Sequence, residues 1–263
     1  MARRRGHQAE TGRHRIVDGD VGGGIRPEVP ERYRERDGLS INHLRGRGIE
    51  GNFPGSAILN PFDLHASRPF GLRIAIRIRG RAPLMVSSGN HDGDSRNAAD
   101  ESVAAWLLNN RADGLYVDGQ SAVFGNLRIT ACPWWDGPAS RAELARLLER
   151  EAAINTGHWI WSHHAPPAGA RVCWSGKEFL GDPYLLDWIH LFKPDVVLSG
   201  HMHNAPFYPE GSWIDRIGET WVFNPGREPG PTPTHLKLDL DAMTAEWISV
   251  EGESIRRLIF HDR

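Results

Sequence analysis

Lysine is absent from the first 82 residues of this chain, although arginine occurs 16 times there against 9 Asp and Glu. Tryptophan is missing from the same segment, since all 10 tryptophans follow residue 82. The remainder carries 15 Lys and Arg against 24 Asp and Glu, so the two parts have formal charges of +7 and −9. This contrast divides the chain into an atypical N-terminal segment, 1–82, and a domain at 83–263.

Long hydrophobic runs and paired cysteines are also lacking. No apolar stretch is long enough to span a bilayer, and no hydrophobic region follows the basic start as in a secretory signal. The two cysteines, Cys132 and Cys173, fit no zinc-binding spacing, which favours reduced structural thiols. We therefore expect a cytoplasmic protein with no membrane partner.

The N-terminal segment is rich in arginine, glycine and proline and has no helical period. Its stretch 72–79 alternates apolar residues with arginine, a pattern that a strand could have. Three interpretations of the segment remain open. It is a basic arm that contacts an anionic partner such as nucleic acid, an extension without a role, or the product of translation out of frame.

Short apolar strands alternate with amphipathic helices from Pro83 onwards. Strands are predicted at 84–86, 116–124, 127–131, 159–161, 194–198 and 220–223, and a hairpin at 236–240 and 247–250. Helices are predicted at 100–109, from Ser140 onwards through a capping box, and from Asp182 to Lys193. This order predicts an α/β fold with an antiparallel C-terminal portion.

Histidine and asparagine follow three of these strands directly. The polar residues are Asn90-His91-Asp92, His163-His164, and His201 with His203. Because the carboxyl ends of strands in an α/β sheet form the functional crevice, we expect them to meet there. Alternation predicts that His201 and His203 lie on one side of an extended segment, with Gly200 allowing a bend. Imidazole and amide groups suit Mn, Fe, Zn or Ni, whereas unliganded loop histidines are the alternative.

The ordered series of motifs resembles a known family. Gly89-Asn90-His91-Asp92, then His164-Ala165-Pro166, then Gly200-His201-Met202-His203 are similar to the motifs of the calcineurin-like metallophosphoesterases. The resemblance covers roughly residues 83–250. It implies a hydrolase of phosphomonoesters or phosphodiesters, built on a double-sheet α/β/β/α sandwich, with a small-molecule phosphoester as substrate.

The same resemblance implies the metal ligands and the cofactor. Asn90, His164 and His201 would bind one divalent ion, and His203 would bind a second. Two ions about 3.5–4 Å apart hold the phosphoryl oxygens and activate a water molecule. Their identity is left open among Mn, Fe, Zn and Ni. His163 is the alternative to His164, which is preferred because the family's ligand stands two residues before a proline.

The resemblance also implies two residues with catalytic roles. His91 would lie over the phosphate as a transition-state stabiliser or general acid, and Asp92 would orient His91. Arg227 is a further candidate for phosphate contact. Trp134-Trp135 could line a pocket or pack in the core.

Two motifs of the family are missing from their expected places. Asp63-Leu64-His65 has the letters of Asp-x-His, but it lies 26 residues before His91, too close for two βαβ units of about 30 residues each. Gly19-Asp20-Val21 begins like Gly-Asp-x-x-Asp, but it precedes Asp63 and Gly23 stands in place of the second aspartate. The alternative function is therefore a catalytically impaired relative that lacks these aspartates.

Overall fold

The computed structural model describes the backbone of strands 41–45 and 56–59, and residues 83–111, 113–228, 233–250 and 252–259. These residues belong to one compact unit, Arg32–Arg263. Asp20, Asp63, His65 and the alternating stretch 72–79 lie outside the described residues.

Strands dominate the described chain. In chain order they are β1 (Ile41–Arg45), β2 (Ser56–Leu59), β3 (Leu84–Val86), β4 (Ser95–Arg96), β5 (Ser102–Val103), β6 (Leu115–Tyr116), β7 (Ser121–Phe124), β8 (Leu127–Ala131), β9 (His158–Ser162), β10 (Val196–Leu198), β11 (Ile214–Ile217), β12 (Thr220–Phe223), β13 (His235–Asp239), β14 (Thr244–Ser249) and β15 (Gly252–Arg257). The helices are α1 (Ala105–Leu108), α2 (Pro138–Ile154) and α3 (Pro183–Phe192), with 3-10 turns at Arg171–Cys173 and Ala205–Phe207.

Two large sheets contain most of these strands. One has the order β15-β14-β13-β1-β2-β3-β6, and the other has the order β11-β12-β10-β9-β8-β7. In the second sheet β8, β9, β10 and β12 run parallel, with antiparallel strands at both edges. Strands β1 and β2, from the atypical N-terminal segment, lie between β13 and β3 in the first sheet. The division at residue 82 stays a prediction.

The side chains of successive strand residues point to different layers, as the period of two requires. In β10, Val196 and Leu198 join the core between the sheets, whereas Val197 packs with the helices α2 and α3. In β3, Met85 joins the core between the sheets, and Leu84 packs towards α1. The layers are therefore helix, sheet, sheet and helix, and the predicted α/β/β/α sandwich is confirmed.

Local features differ from the sequence predictions at two helices. Helix α1 is four residues long, not ten, because Val103 belongs to β5. Helix α2 begins at Pro138, so Ser140 is its third residue and not its cap. The Glu101 carboxylate accepts hydrogen bonds from the Ala139 and Ser140 amides, at 2.7 and 2.6 Å. A carboxylate distant in sequence thus offsets the partial positive charge at the start of this helix. In return, these hydrogen bonds, chiefly those to Ser140, lower the pKa of Glu101 to about 2.

The remaining helix and strand predictions agree more closely. Asp182 caps α3 by accepting hydrogen bonds from the Tyr184 and Leu185 amides, and Pro183 is the first helical residue. The predicted strand 116–124 is divided between β6 and β7 by a turn at Asp118. Cys132 and Cys173 are buried free thiols. Among the described helices, none has both the length and the hydrophobicity to cross a bilayer.

Candidate metal centre

Three loops at the carboxyl ends of parallel strands meet between the two sheets. Asn90 follows β3 of the first sheet, whereas His164 and His201 follow β9 and β10 of the second. The Ser87 hydroxyl lies 2.8 Å from the carbonyl of Ser162 and 2.9 Å from its hydroxyl. These hydrogen bonds join the ends of β3 and β9, so residues from different sheets share one site.

The side chains of Asn90, His164 and His201 converge. Oδ1 of Asn90 lies 2.9 Å from Nε2 of His164, and the same Nε2 lies 3.2 Å from Nδ1 of His201. The two imidazole rings meet edge to face, with centroids 4.9 Å apart. One ring nitrogen carries at most one proton, so Nε2 cannot form a hydrogen bond with both neighbours. A cation between the three atoms would satisfy all of them.

The spacing of these atoms fits a single metal ion. Oxygen and nitrogen ligands at about 2.0–2.2 Å from a common ion are separated by about 3 Å, which both measured distances match. One amide oxygen and two imidazole nitrogens suit Mn, Fe, Zn or Ni. Within the described ranges no three His, Cys, Asp or Glu side chains form a metal-binding group. The Asn90 amide is therefore required to complete this set of three.

Gly89 permits the approach of the loop after β3 to His164. A Cβ atom at this position would lie 2.8 Å from ring atoms of His164, closer than side-chain carbon atoms normally approach. The Gly89 amide donates a 2.8 Å hydrogen bond to Oδ2 of Asp92, which is 4% exposed. Asp92 thereby closes the turn that presents Asn90 and His91. Its predicted role in orienting His91 stays a prediction.

The turn at His201 differs from the extended segment expected from the sequence. His201 itself has φ of 63°, in the left-handed region, and the Met202 amide donates to the carbonyl of Gly200. Asn224 holds this turn from β12, because its side-chain amide donates to the carbonyl of Met202 at 2.9 Å. The fold therefore stabilises an unfavourable backbone conformation, which is common at functional sites. His201 and His203 consequently do not follow the predicted alternation.

Burial keeps the clustered histidines neutral at pH 7. It lowers the pKa of His164 well below its ordinary value, with the neighbouring His201 adding to the effect. Burial also lowers the pKa of His201, and then the charge of His91 contributes. Neutral imidazole is the form that binds metal ions, so these rings are prepared for that role without losing a proton.

His203 and His91 lie beside the cluster. Burial, followed by the positive charge of Arg227, lowers the pKa of His203 to about 4. The Arg227 amide donates to the His203 carbonyl at 3.1 Å, which brings this arginine to the edge of the site. His91 is exposed, yet its charge affects the pKa of His164, His201 and His203. The structure thus places both predicted residues near the three converging side chains.

His163, the alternative to His164, lies beside Asp182 and Trp134. Its Nε2 lies 3.8 Å from Oδ2 of Asp182, beyond hydrogen-bonding distance, and its ring stacks on Trp134 with centroids 6.5 Å apart. The same carboxylate oxygen accepts a 2.9 Å hydrogen bond from the Trp135 indole. Asp182 therefore connects Trp135 and α3 behind the site, in addition to its role as a helix cap.

Two neighbours of the cluster had no clear signal in the sequence. The Trp134 ring lies 5.7 Å from that of His164 and 5.9 Å from that of His201, between centroids. Asp118 is buried at the end of β6 and accepts a 2.8 Å hydrogen bond from the Ser88 amide. The hint for Trp134 was its position beside a turn. Asp118 could have been recognised only as a polar residue directly after an apolar strand.

Comparison with known proteins gives fold similarities alone. No family model matches this chain, and no curated protein matches it. Similar solved structures include TT1561 of Thermus thermophilus, with a TM-score of 0.44 and 12% identity over 83% of this chain and 99% of that one. The purple acid phosphatase PPD1 from yellow lupin seeds has a TM-score of 0.42 and 12% identity, over 84% of this chain and 52% of that one. A third is GAP50 of Plasmodium, with a TM-score of 0.38 and 12% identity over 86% and 90% of the two chains. Similarities of this size carry no inference about function.

Proposed function

We propose that this chain is a metal-dependent phosphoesterase that hydrolyses phosphomonoesters or phosphodiesters. The observation that carries the proposal is that Oδ1 of Asn90 and Nδ1 of His201 both lie within 3.2 Å of Nε2 of His164. These atoms belong to the three motifs whose order resembles that of the calcineurin-like metallophosphoesterases. The α/β/β/α sandwich supports the proposal because it is the architecture that this resemblance implies.

The residues of the chain divide into ligands and substrate contacts. Asn90, His164 and His201 would hold one divalent ion, and His203 would contribute to a second. Bound divalent ions supply charge neutralisation for the phosphoryl oxygens and lower the pKa of a water molecule. His91, exposed beside the cluster, would donate a hydrogen bond to the phosphoryl group or a proton to the departing oxygen.

Asp92 and Arg227 would act on the position and charge of the substrate. Asp92 fixes the turn at residues 89–92 through the Gly89 amide, so it would hold His91 at a constant distance from the ligands. Arg227 affects His203 electrostatically and would attract an anionic phosphoester to this side of the site. Arginine suits this role because its guanidinium group matches the geometry of phosphate oxygens.

A catalytically impaired relative is the second candidate. It is favoured by the absence, in the part of the chain that the structure describes, of a carboxylate grouped with histidines in a metal-binding set. A carboxylate that bridges two cations offsets their mutual repulsion. Without one, the site would bind a single ion through Asn90, His164 and His201.

Metal analysis combined with hydrolysis assays separates these candidates. We expect the purified full chain to bind two Mn²⁺ ions and to release p-nitrophenol from p-nitrophenyl phosphate or its diester. His164→Ala should abolish both properties, whereas His190→Ala, at an exposed position on α3, should leave them unchanged. One ion and no hydrolysis would support the impaired relative. No bound ion under these conditions would contradict both.

A further inference from the structure

A cavity of about 260 Å³ adjoins the candidate metal centre. It lies between the turn after β3, the loop leading into α1, and the inner face of α2. Its walls include Asn90, Val103, Leu108, Asp118, Trp134 and Leu147. Ligand pockets in proteins are commonly about 300–1,000 Å³, so this slightly smaller cavity has room for a group of one or two rings.

The cavity shares two wall residues with the metal centre. Asn90 contributes its amide oxygen to the converging set and also lines the cavity. Trp134 lines the cavity, and its ring lies within 6 Å of the His164 and His201 rings, centroid to centroid. Its backbone amide donates a 2.9 Å hydrogen bond to the Ser88 hydroxyl, which fixes the start of this loop. A molecule held at the metal centre would therefore reach the cavity directly.

The walls combine apolar surface with a few polar groups. Val103, Leu108, Trp134 and Leu147 provide aliphatic and aromatic contacts. The buried Asp118 brings a carboxyl group to the wall, beside the Ser88 amide. Aromatic rings pack favourably against indole, whereas a carboxylate in an apolar wall disfavours an anionic group. Glu143 and Arg150 of α2 also line the cavity, so its walls carry two carboxylates and one guanidinium beside the apolar contacts. This lining suits an uncharged, planar ring better than an anionic one.

We propose that this cavity binds the aromatic alcohol portion of a phosphoester, packed against Trp134, while its phosphoryl group lies at Asn90, His164 and His201. This inference rests on the proposed function. In the reaction, the oxygen of a water molecule bonds to phosphorus as the bond between phosphorus and the aryl oxygen breaks. One proton of that water remains on the phosphate or passes to solvent, and the aryl oxygen takes up a proton as the free alcohol leaves.

Narrowing the cavity should impair the hydrolysis of an aromatic phosphoester more than that of an aliphatic one. Val103→Phe adds a ring to the cavity wall, and Leu108→Phe does so from α1. Each should lower kcat/KM for p-nitrophenyl phosphate about tenfold, which is the effect expected from losing one aromatic contact. The kcat/KM for propyl phosphate, which has no ring, should change less than twofold. Val123→Phe, on the exposed face of β7, is the matched control. Equal losses for both substrates, or no loss for either, would overturn the proposal.

A binding measurement tests whether the cavity accepts an aromatic ring independently of any phosphoesterase activity. Phenol should shift the indole N–H resonance of Trp134, and 1-propanol at the same concentration should not. The shift should disappear in Val103→Phe and persist in Val123→Phe. This result requires neither metal nor turnover, so it would stand if the phosphoesterase activity were absent. A phenol response that equals the propanol response, or one that survives Val103→Phe, would contradict the proposal.

Discussion

Replacing Asp118 by asparagine should make the stability of this protein less sensitive to a rise in pH from 5 to 7.5. Asp118 is 6% exposed, and asparagine keeps an oxygen that accepts the hydrogen bond from the Ser88 amide. Burial raises the pKa of the Asp118 carboxyl from 3.8 to about 6, against the effects of Ser88, His163 and Arg111. The Cys132 thiol also faces this carboxyl, and burial, followed by the charge of Asp118, raises its pKa well above the ordinary value.

The sign follows from the direction of the pKa shift. A carboxyl whose pKa is higher in the folded state favours folding when protonated, and this contribution is lost as the pH rises through about 6. At 1.36 kcal/mol per pKa unit, the complete loss is about 3 kcal/mol. Between pH 5 and pH 7.5 the same relation gives a loss of about 1 kcal/mol. Asparagine does not titrate, so the variant should avoid this loss.

Urea unfolding followed by tryptophan fluorescence measures the effect. The free energy of unfolding of Asp118→Asn minus that of the unmodified chain should be about 1 kcal/mol larger at pH 7.5 than at pH 5. Histidines that do not interact with Asp118 contribute equally in both proteins, so their effect cancels. Asp113→Asn, at an exposed position before β6, controls for the loss of one charge. If the free energies of unfolding of variant and parent differ by the same amount at both pH values, or by less at pH 7.5, Asp118 does not have the raised pKa.

Four further measurements test the fold and the site. Gly89→Ala should weaken Zn²⁺ binding about 10–100-fold in calorimetry, because the added Cβ displaces the His164 ring; unchanged binding would contradict that contact. Zn²⁺ affinity of the unmodified chain should change little between pH 7.5 and pH 6, since burial lowers the pKa of His164 well below 6.5; a steep loss above pH 6 would be inconsistent with this shift. Asp182→Ala should lower the free energy of unfolding by about 1–2 kcal/mol through loss of the α3 cap, and Asp182→Asn should restore most of it. Leu148→Ala should cost about 2–5 kcal/mol in urea unfolding and leave Zn²⁺ affinity unchanged, because this fully buried side chain of α2 belongs to the core between that helix and the second sheet and is not one of the three converging residues.

The α/β character of the fold could be predicted from local patterns, whereas the double-sheet sandwich was implied by the resemblance of the motifs. Strands β9 and β10 are apolar on both faces, as strands covered on both sides must be, and Asp182-Pro183 marks the start of α3 by its capping chemistry. The three polar strand ends were visible because each follows such an apolar run. Strand β15 was not predicted, since its mostly exposed residues show no alternation of burial.

The geometry of the site depended on contacts between residues far apart in the chain. The His164 ring contacts the side chain of Asn90, and the left-handed turn at His201 is held by Asn224. Glu101 replaces a local cap on α2 from 38 residues away. None of these contacts has a periodic signal, because each brings together loops whose spacing in sequence is arbitrary.

The amino-acid sequence by itself therefore determined the α/β character of the fold and the residue types at the ends of the strands. Those properties follow from hydrophobic periodicity and from the short motifs at the strand ends, which are local. Only the tertiary structure decided that Asn90, His164 and His201 share one point, and that Trp134 and Asp118 form a cavity beside it. The physical reason is that packing the two sheets brings loops from different strands together, and side-chain distances are set by that packing.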